Sequence, residues 1–139
     1  MDKNKQLFLN KYKPIYFNDF QTHNDIITII DSLIKLDNLN ILLIGNGGTG
    51  KTTLLNATVK EYYKNYPFKQ FENNILYINS LKEQGINYYR NDVKIFCQTC
   101  SAIKNKKKIV IIDDMDSINE QSQQIFRNYI DKYSHKDRK

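Results

Sequence analysis

The sequence predicts an α/β fold, a parallel sheet with flanking helices, and three observations point there. Short apolar, β-branched runs alternate with stretches of helical period; a glycine-rich octapeptide joins one such run to a helix; and the third run ends directly in acids. Alternating strand and helix implies parallel pairing through right-handed crossovers, with ligands bound beyond the carboxyl ends of the strands.

Taken in order, residues 1–21 are polar and aromatic with Pro14 and no steady period, and they read as an extended N-terminal segment. Thr22 and Asp25 resemble a capping box, and Ile26, Ile27, Ile30, Leu33 and Ile34 then repeat at helical spacing to about Leu36. Asn40-Ile41-Leu42-Leu43-Ile44 is the first predicted strand, of the kind buried in a parallel sheet. Thr53 opens a helical pattern through Leu54, Leu55, Thr58, Val59, Tyr62, Tyr63 and Tyr66 that Pro67 stops. Residues 68–73 read as a loop and Asn74-Ile75-Leu76-Tyr77-Ile78 as a second strand. Gly85 punctuates a polar turn, and a helix is expected over Arg90 to Ile103. The run Lys104-Asn105-Lys106-Lys107-Lys108, a solvated loop, leads to the third strand, Ile109-Val110-Ile111-Ile112. Ser117 and Glu120 form a capping box for a last helix whose apolar face carries Ile118, Ser122, Ile125, Phe126, Tyr129, Ile130 and Tyr133.

The octapeptide Gly45-Asn46-Gly47-Gly48-Thr49-Gly50-Lys51-Thr52 fits the phosphate-binding P-loop pattern. Glycines let backbone N–H groups turn inward on phosphates, Lys51 reaches the β- and γ-phosphates of ATP, and Thr52 offers a hydroxyl to Mg²⁺. The following helix points its positive end at the anion. The third strand supplies the second half of an ATPase centre. Asp113 follows it directly and would hold the water shell of Mg²⁺, while Asp114 would orient or deprotonate the attacking water. Asp116 falls near the start of the next helix.

Composition narrows the remaining classes. The 139 residues carry 21 Lys and Arg against 15 Asp and Glu, a net charge of +6 that suits a polyanionic partner. No apolar stretch approaches a bilayer span, and the N-terminus lacks the apolar segment of a secretory signal, so the chain reads as soluble and intracellular, without a membrane partner. Cys97 and Cys100 form a C-x-x-C, but the only histidines, His23 and His135, provide no second pair for zinc. The cysteines are read as packing residues beside Val93, Phe96 and Ile103, with a redox role as the alternative.

The order of segments resembles the small subunits of replication factor C and the archaeal clamp loaders, which are AAA+ P-loop NTPases. Lys11-Tyr12-Lys13-Pro14 followed by Asp19 resembles their K-Y-R-P…D segment. Gly45 to Thr53 is similar to G-P-P-G-T-G-K-T-T, with Asn46 and Gly47 in place of the prolines. Asn79 with Gly85-Ile86 and Arg90-Asn91 resembles N-A-S-x-x-R-G-I-x-x-V-R-N, although Gln84 replaces an Arg. Asp113 to Ser117 resembles D-E-A-D-S, and Gln123-Gln124, Arg127 and Lys132-Tyr133-Ser134 resemble the helix that follows it. The resemblance implies a nucleotide site formed by Gly45 to Thr53, with Tyr12 and Pro14 enclosing the adenine, Asn79 facing Asp114, and Arg90, Lys94 and Arg127 as candidate DNA-backbone contacts. For each of those three cations an ordinary surface role stays open. The last helix, with Gln121, Ile125 and Phe126, is a candidate clamp-facing surface or simply core.

By the same resemblance the chain would be the N-terminal part of an AAA+ domain, residues 22–139, stopping before the last core strands, lid and collar. A strand that lies between the first and third strands in the family would then be missing, leaving unpaired backbone groups. The implied activity is ATP-driven loading of a sliding clamp on primer-template DNA, within a ring of clamp-loader subunits. The setting would be the nucleus of a eukaryote, and otherwise the cytoplasm or a viral replication site. Asp114 stands where the family has Glu, and its carboxylate reaches roughly 1.5 Å less far, a displacement that can cost on the order of a hundredfold in rate. Two other readings stay open: another P-loop ATPase such as a helicase loader, and a nucleotide-binding scaffold without turnover.

Overall fold

The computed structural model describes residues 11–21, 24–79 and 85–133. Residues 1–10 of the expected N-terminal segment, Thr22 of the capping box, Gln84, and Ser134 with the rest of the tail lie outside the described residues. The chain divides into two units, Met1–Pro67 and Phe68–Lys139.

In the first unit, Phe17–Asp19 form a 3-10 turn, followed by helix α1 (Asn24–Lys35) and helix α2 (Lys51–Tyr62). The core is small: Phe17, Ile30 and Ala57 are buried, with Phe20, Ile27, Ile34, Ile41 and Leu54 packed against them. Phe17 therefore anchors the N-terminal segment to both helices. Asp19 closes the turn behind Pro14, its Oδ2 accepting the N–H groups of Ile15 and Tyr16, each at 2.9 Å. Those two donors hold the Asp19 carboxyl below the ordinary value of 3.8. Helix α2 ends four residues before Tyr66, the last position of its expected run. Pro67 disfavours helical backbone at the residue before it, and residues 63–66 relax into turns held by Tyr63 N–H to Val59 O at 3.1 Å and Tyr66 N–H to Tyr63 O at 2.9 Å.

The first predicted strand departs from expectation. Residues 38–46 form neither helix nor strand, and among the described residues no strand pairs with them. Ile41 and Leu43 are half-buried, whereas Leu42 is 72% and Ile44 89% exposed. The run shows the two-residue burial alternation of a strand without the ladder that makes one, since an extended backbone counts as sheet only when its N–H and C=O groups find a neighbour.

The second unit contains that ladder. Strand β1 (Ile75–Asn79) pairs in parallel with strand β2 (Ile109–Asp113), in a register that places Ile75 opposite Ile109, Tyr77 opposite Ile111 and Asn79 opposite Asp113. Helices α4 (Ile86–Gln98) and α5 (Glu120–Tyr133) complete the unit, while a short helix α3 (Phe68–Phe71) and a 3-10 turn (Glu72–Asn74) replace the loop expected before β1. Phe71 is buried there, edge-on to Phe68 at 5.4 Å, which gives this stretch its helical turn.

One face of the strand pair, Leu76, Ile78, Val110 and Ile112, packs with Tyr89, Val93, Ile118 and Phe126. Tyr129 fastens α5 to α4 by donating its hydroxyl to the carbonyls of Tyr89 and Arg90, both at 3.1 Å. Asn74, 1% exposed, staples the entrance of β1 to the segment before β2: its Nδ2 donates to Ser101 Oγ at 2.9 Å and its Oδ1 accepts Ala102 N–H at 2.8 Å.

Two helix boundaries differ from those read off the period. Helix α4 starts at Ile86, where Tyr88 N–H reaches Gly85 O at 2.9 Å, and stops at Gln98 because Thr99 turns extended (ψ 145°). Lys108 donates to the carbonyls of Phe96 and Thr99, occupying the acceptors of that helix end, while its ammonium lies 3.8 Å from the Phe96 ring centroid. Cys100 and Ile103 thus fall beyond the helix. Helix α5 is capped by Asn119 and not by Ser117: Asn119 Oδ1 accepts Ser122 N–H at 2.9 Å, while Ser117 sits in a 3-10 turn (Met115–Ser117) whose carbonyl acceptor is Asp114.

Candidate functional site

The loop from Gly45 to Gly50 enters α2 through left-handed backbone. Gly48 (φ 78°) and Gly50 (φ 89°) adopt conformations that favour glycine, and Gly50 serves as N-cap without a side-chain bond. Leu54 N–H to Gly50 O at 2.9 Å closes the first helical turn. Thr49 Oγ1 donates to Asn46 O at 2.9 Å. Lys51 folds back over the loop and donates its ammonium to Gly45 O at 2.7 Å and Asn46 O at 2.8 Å, so the cation sits at the loop rather than in bulk solvent.

The start of α2 places a cation where the helix dipole favours an acid. The first turns of α1 and α5 carry Asp25 and Glu120, whereas those of α2 and α4 have no acid, and α2 begins with Lys51 behind a left-handed glycine. The backbone N–H groups of the first turn, the positive dipole end and an ammonium converge on one place, an arrangement that suits an anion. Thr52 is exposed in the first turn of α2, and Thr53 is half-buried beside it. Tyr12 is exposed and Pro14 half-buried in the segment anchored by Phe17.

In the second unit, the register sets Asn79 and Asp113 side by side at the carboxyl ends of β1 and β2. Tyr77 donates its hydroxyl to Asp113 Oδ2 at 2.6 Å. Burial, helped by that bond and by the charges of Asp113 and Asp114, pushes the Tyr77 phenol up to about 12. Asp114, exposed, is itself left-handed (φ 54°, ψ 49°) and starts the 3-10 turn, accepting Ser117 N–H at 2.9 Å. Aspartate tolerates this region better than most residues, at a cost on the order of 1 kcal/mol.

Each unit offers a hard oxygen of the kind Mg²⁺ takes, the Thr52 hydroxyl at the start of α2 in the first and the Asp113 carboxylate at the end of β2 in the second. Among the described residues no group of three or more His, Cys, Asp or Glu could hold a metal alone. Mg²⁺ is commonly held by one or two carboxylates together with phosphate oxygens and water, and the single Asp113 carboxylate fits that pattern.

Arg90 and Lys94 lie exposed on α4, and Arg127 is exposed on α5, where it lines a shallow groove with Met115, Gln123, Phe126, Ile130 and Asp131. On α5 Gln121 is exposed, Ile125 half-buried and Phe126 buried in the core. Cys97 packs against the same core and burial pushes its thiol up, against the pull of the Lys108 ammonium, as fits a packing residue. Among the described residues no helix is long and apolar enough to cross a membrane. Sequence reasoning did not single out Tyr77; its pairing with Asp113 depends on strand register, which a single apolar run does not reveal.

A glycine-capped loop ahead of a helix and a strand ending in Asp113 define the class of P-loop ATPases, and residues 41–139 match the ATPase family associated with various cellular activities (AAA). The chain belongs to that family. More particularly, it is 34% identical over 128 residues to replication factor C subunit 5 of Homo sapiens, an alignment covering 91% of this chain and 37% of the relative. It is 32% identical over 133 residues to replication factor C subunit 3 of Blastobotrys adeninivorans, covering 95% and 38%. It is also 28% identical over 135 residues to the replication factor C small subunit of Methanoculleus marisnigri, covering 96% and 41%. The chain thus spans somewhat more than a third of the length of these relatives.

Proposed function

We propose that this chain is the ATP-binding part of a clamp-loader subunit acting in DNA replication. The observation that carries the reading is the left-handed glycine loop at the start of α2, folded under the Lys51 ammonium, in a chain similar along nine-tenths of its length to replication factor C subunits. The backbone N–H groups of Gly45 to Thr53 bind the phosphates, and Lys51 exchanges its two loop carbonyls for phosphate oxygens. Thr52 and Asp113 hold Mg²⁺, which when bound neutralises charge on the β- and γ-phosphates. Asp114 orients the attacking water, Asn79 positions Asp114, and Tyr12 and Pro14 enclose the adenine. Arg90, Lys94 and Arg127 contact the DNA backbone without reading its sequence. ATP binding and hydrolysis are coupled to opening a ring-shaped sliding clamp and placing it on primer-template DNA, within a ring of clamp-loader subunits.

A second reading, a scaffold that binds ATP without turnover, is favoured by one observation: Asp114 is shorter than Glu and held in left-handed backbone. Two measurements test these readings. A fluorescent ATP analogue should bind the chain with Mg²⁺, and Lys51→Ala should weaken it by on the order of a hundredfold, the loss expected when a charged hydrogen-bonding group is removed; retained affinity removes the site from Gly45 to Thr53. ATP hydrolysis stimulated by primer-template DNA and a sliding clamp, with partner subunits present, supports the loader. Binding without turnover, unchanged in Asp114→Glu, supports the scaffold.

A further inference from the structure

We propose that Tyr77 is a positioning residue of the acidic motif, its hydroxyl fixing the Asp113 carboxylate in the orientation that receives Mg²⁺; this rests on the nucleotide-binding reading above. Three features of the second unit carry it. The β1–β2 register divides the pair into two faces: Leu76, Ile78, Val110 and Ile112 face the helical core, and Tyr77, Asn79, Ile111 and Asp113 share the opposite face. Tyr77 sits opposite Ile111, so Asp113 is its diagonal neighbour two residues on, within reach of a long aromatic side chain. The reach is used: the Tyr77 hydroxyl meets Asp113 Oδ2 at 2.6 Å, short for a neutral donor and typical of one bonded to a carboxylate.

The main chain at Asp113 is already fixed on both sides. The ladder pairs it with Asn79, and the left-handed Asp114 with its Ser117 bond sets the turn that follows. What remains is rotation about the two side-chain bonds of Asp113, and Tyr77 restrains that rotation. A phenylalanine would serve strand propensity at position 77 equally well, so the oxygen is the part of this side chain that packing does not account for. A partner behind a metal-holding carboxylate sets its direction, and loss of such a partner typically costs 10–100-fold in metal affinity.

The test uses the whole chain and a fluorescent ATP analogue, titrated with Mg²⁺ and separately in EDTA. Tyr77→Phe is expected to raise the Mg²⁺ concentration for half-maximal binding about tenfold. Affinity in EDTA and the thermal midpoint are expected to stay at wild-type values. In an Asp113→Asn background, Tyr77→Phe should add no further shift, because the residue acts through that carboxylate. An unchanged Mg²⁺ midpoint in Tyr77→Phe overturns the proposal, as does an equal loss with and without Mg²⁺ or a full additional shift on Asp113→Asn. Absence of Mg²⁺-dependent binding by the wild-type chain overturns the functional reading and this proposal together, and that result is read before any variant is made.

Discussion

Two pentapeptides in this chain differ at a single position and meet different fates. Asn40-Ile41-Leu42-Leu43-Ile44 leads into the P-loop without becoming a strand, and Asn74-Ile75-Leu76-Tyr77-Ile78 leads into β1. The second has the ladder to β2 and an Asn74 buried between Ser101 and Ala102. The first has an exposed Asn40, whose amide reaches Asn38 Oδ1 at 3.0 Å. The same apolar, β-branched composition gives a tendency in both places, and the pairing partner converts it into a strand in one.

Truncating the last residue of each run is the strongest way to break this comparison. Ile78→Ala empties a position that is 1% exposed and should cost about 2–5 kcal/mol, whereas Ile44→Ala, at a position that is 89% exposed, should stay within about 0.5 kcal/mol. Urea unfolding measures both, and equal losses would mean that Ile44 is packed in the folded chain.

A smaller effect sharpens the contrast between the two loops. Left-handed backbone falls on glycine in the P-loop and on Asp114 in the acidic turn. Asp114→Gly should therefore stabilise the chain by about 1 kcal/mol, even as it removes the carboxylate assigned to the attacking water. A lower urea midpoint in that variant would show the Asp114 side chain to be a structural contact.

The smallest effect concerns Asp19. Its folded value lies below 3.8, so the contribution of its turn is present above that ordinary value and fades as pH falls through the folded one. Amide chemical shifts of Ile15 and Tyr16 should move in that acid window, and in Asp19→Asn the movement should be absent.

Much of this was legible in the sequence because it depends on local chemistry. The P-loop pattern, the helix read from Thr53 and observed from Lys51, the strand read over residues 74–78 and observed over Ile75–Asn79, the strand from Ile109, and the acid at the end of β2 each follow from a few neighbouring residues. The family resemblance stated from those segments agrees with the AAA match and with the replication factor C relatives. What was not legible depends on distant partners. Residues 40–44 miss being a strand for want of a ladder among the described residues, the early stop of α4 involves Lys108 ten residues beyond its end at Gln98, and the Tyr77–Asp113 bond joins residues 36 apart in the chain. The choice of Asn119 over Ser117 as cap turned on the 3-10 turn that consumed Ser117.

The P-loop glycines are not equivalent as reporters of selection. At Gly48 and Gly50 any side chain is strained by the backbone alone, so intolerance there would arise in a chain that had lost every nucleotide. At Gly47 the backbone is not left-handed and an added methyl meets nothing within 4 Å. A library of variants in which alanine is accepted at Gly47 for folding but rejected for growth would thus register the ligand itself, and that codon is where drift away from ATP would first become visible.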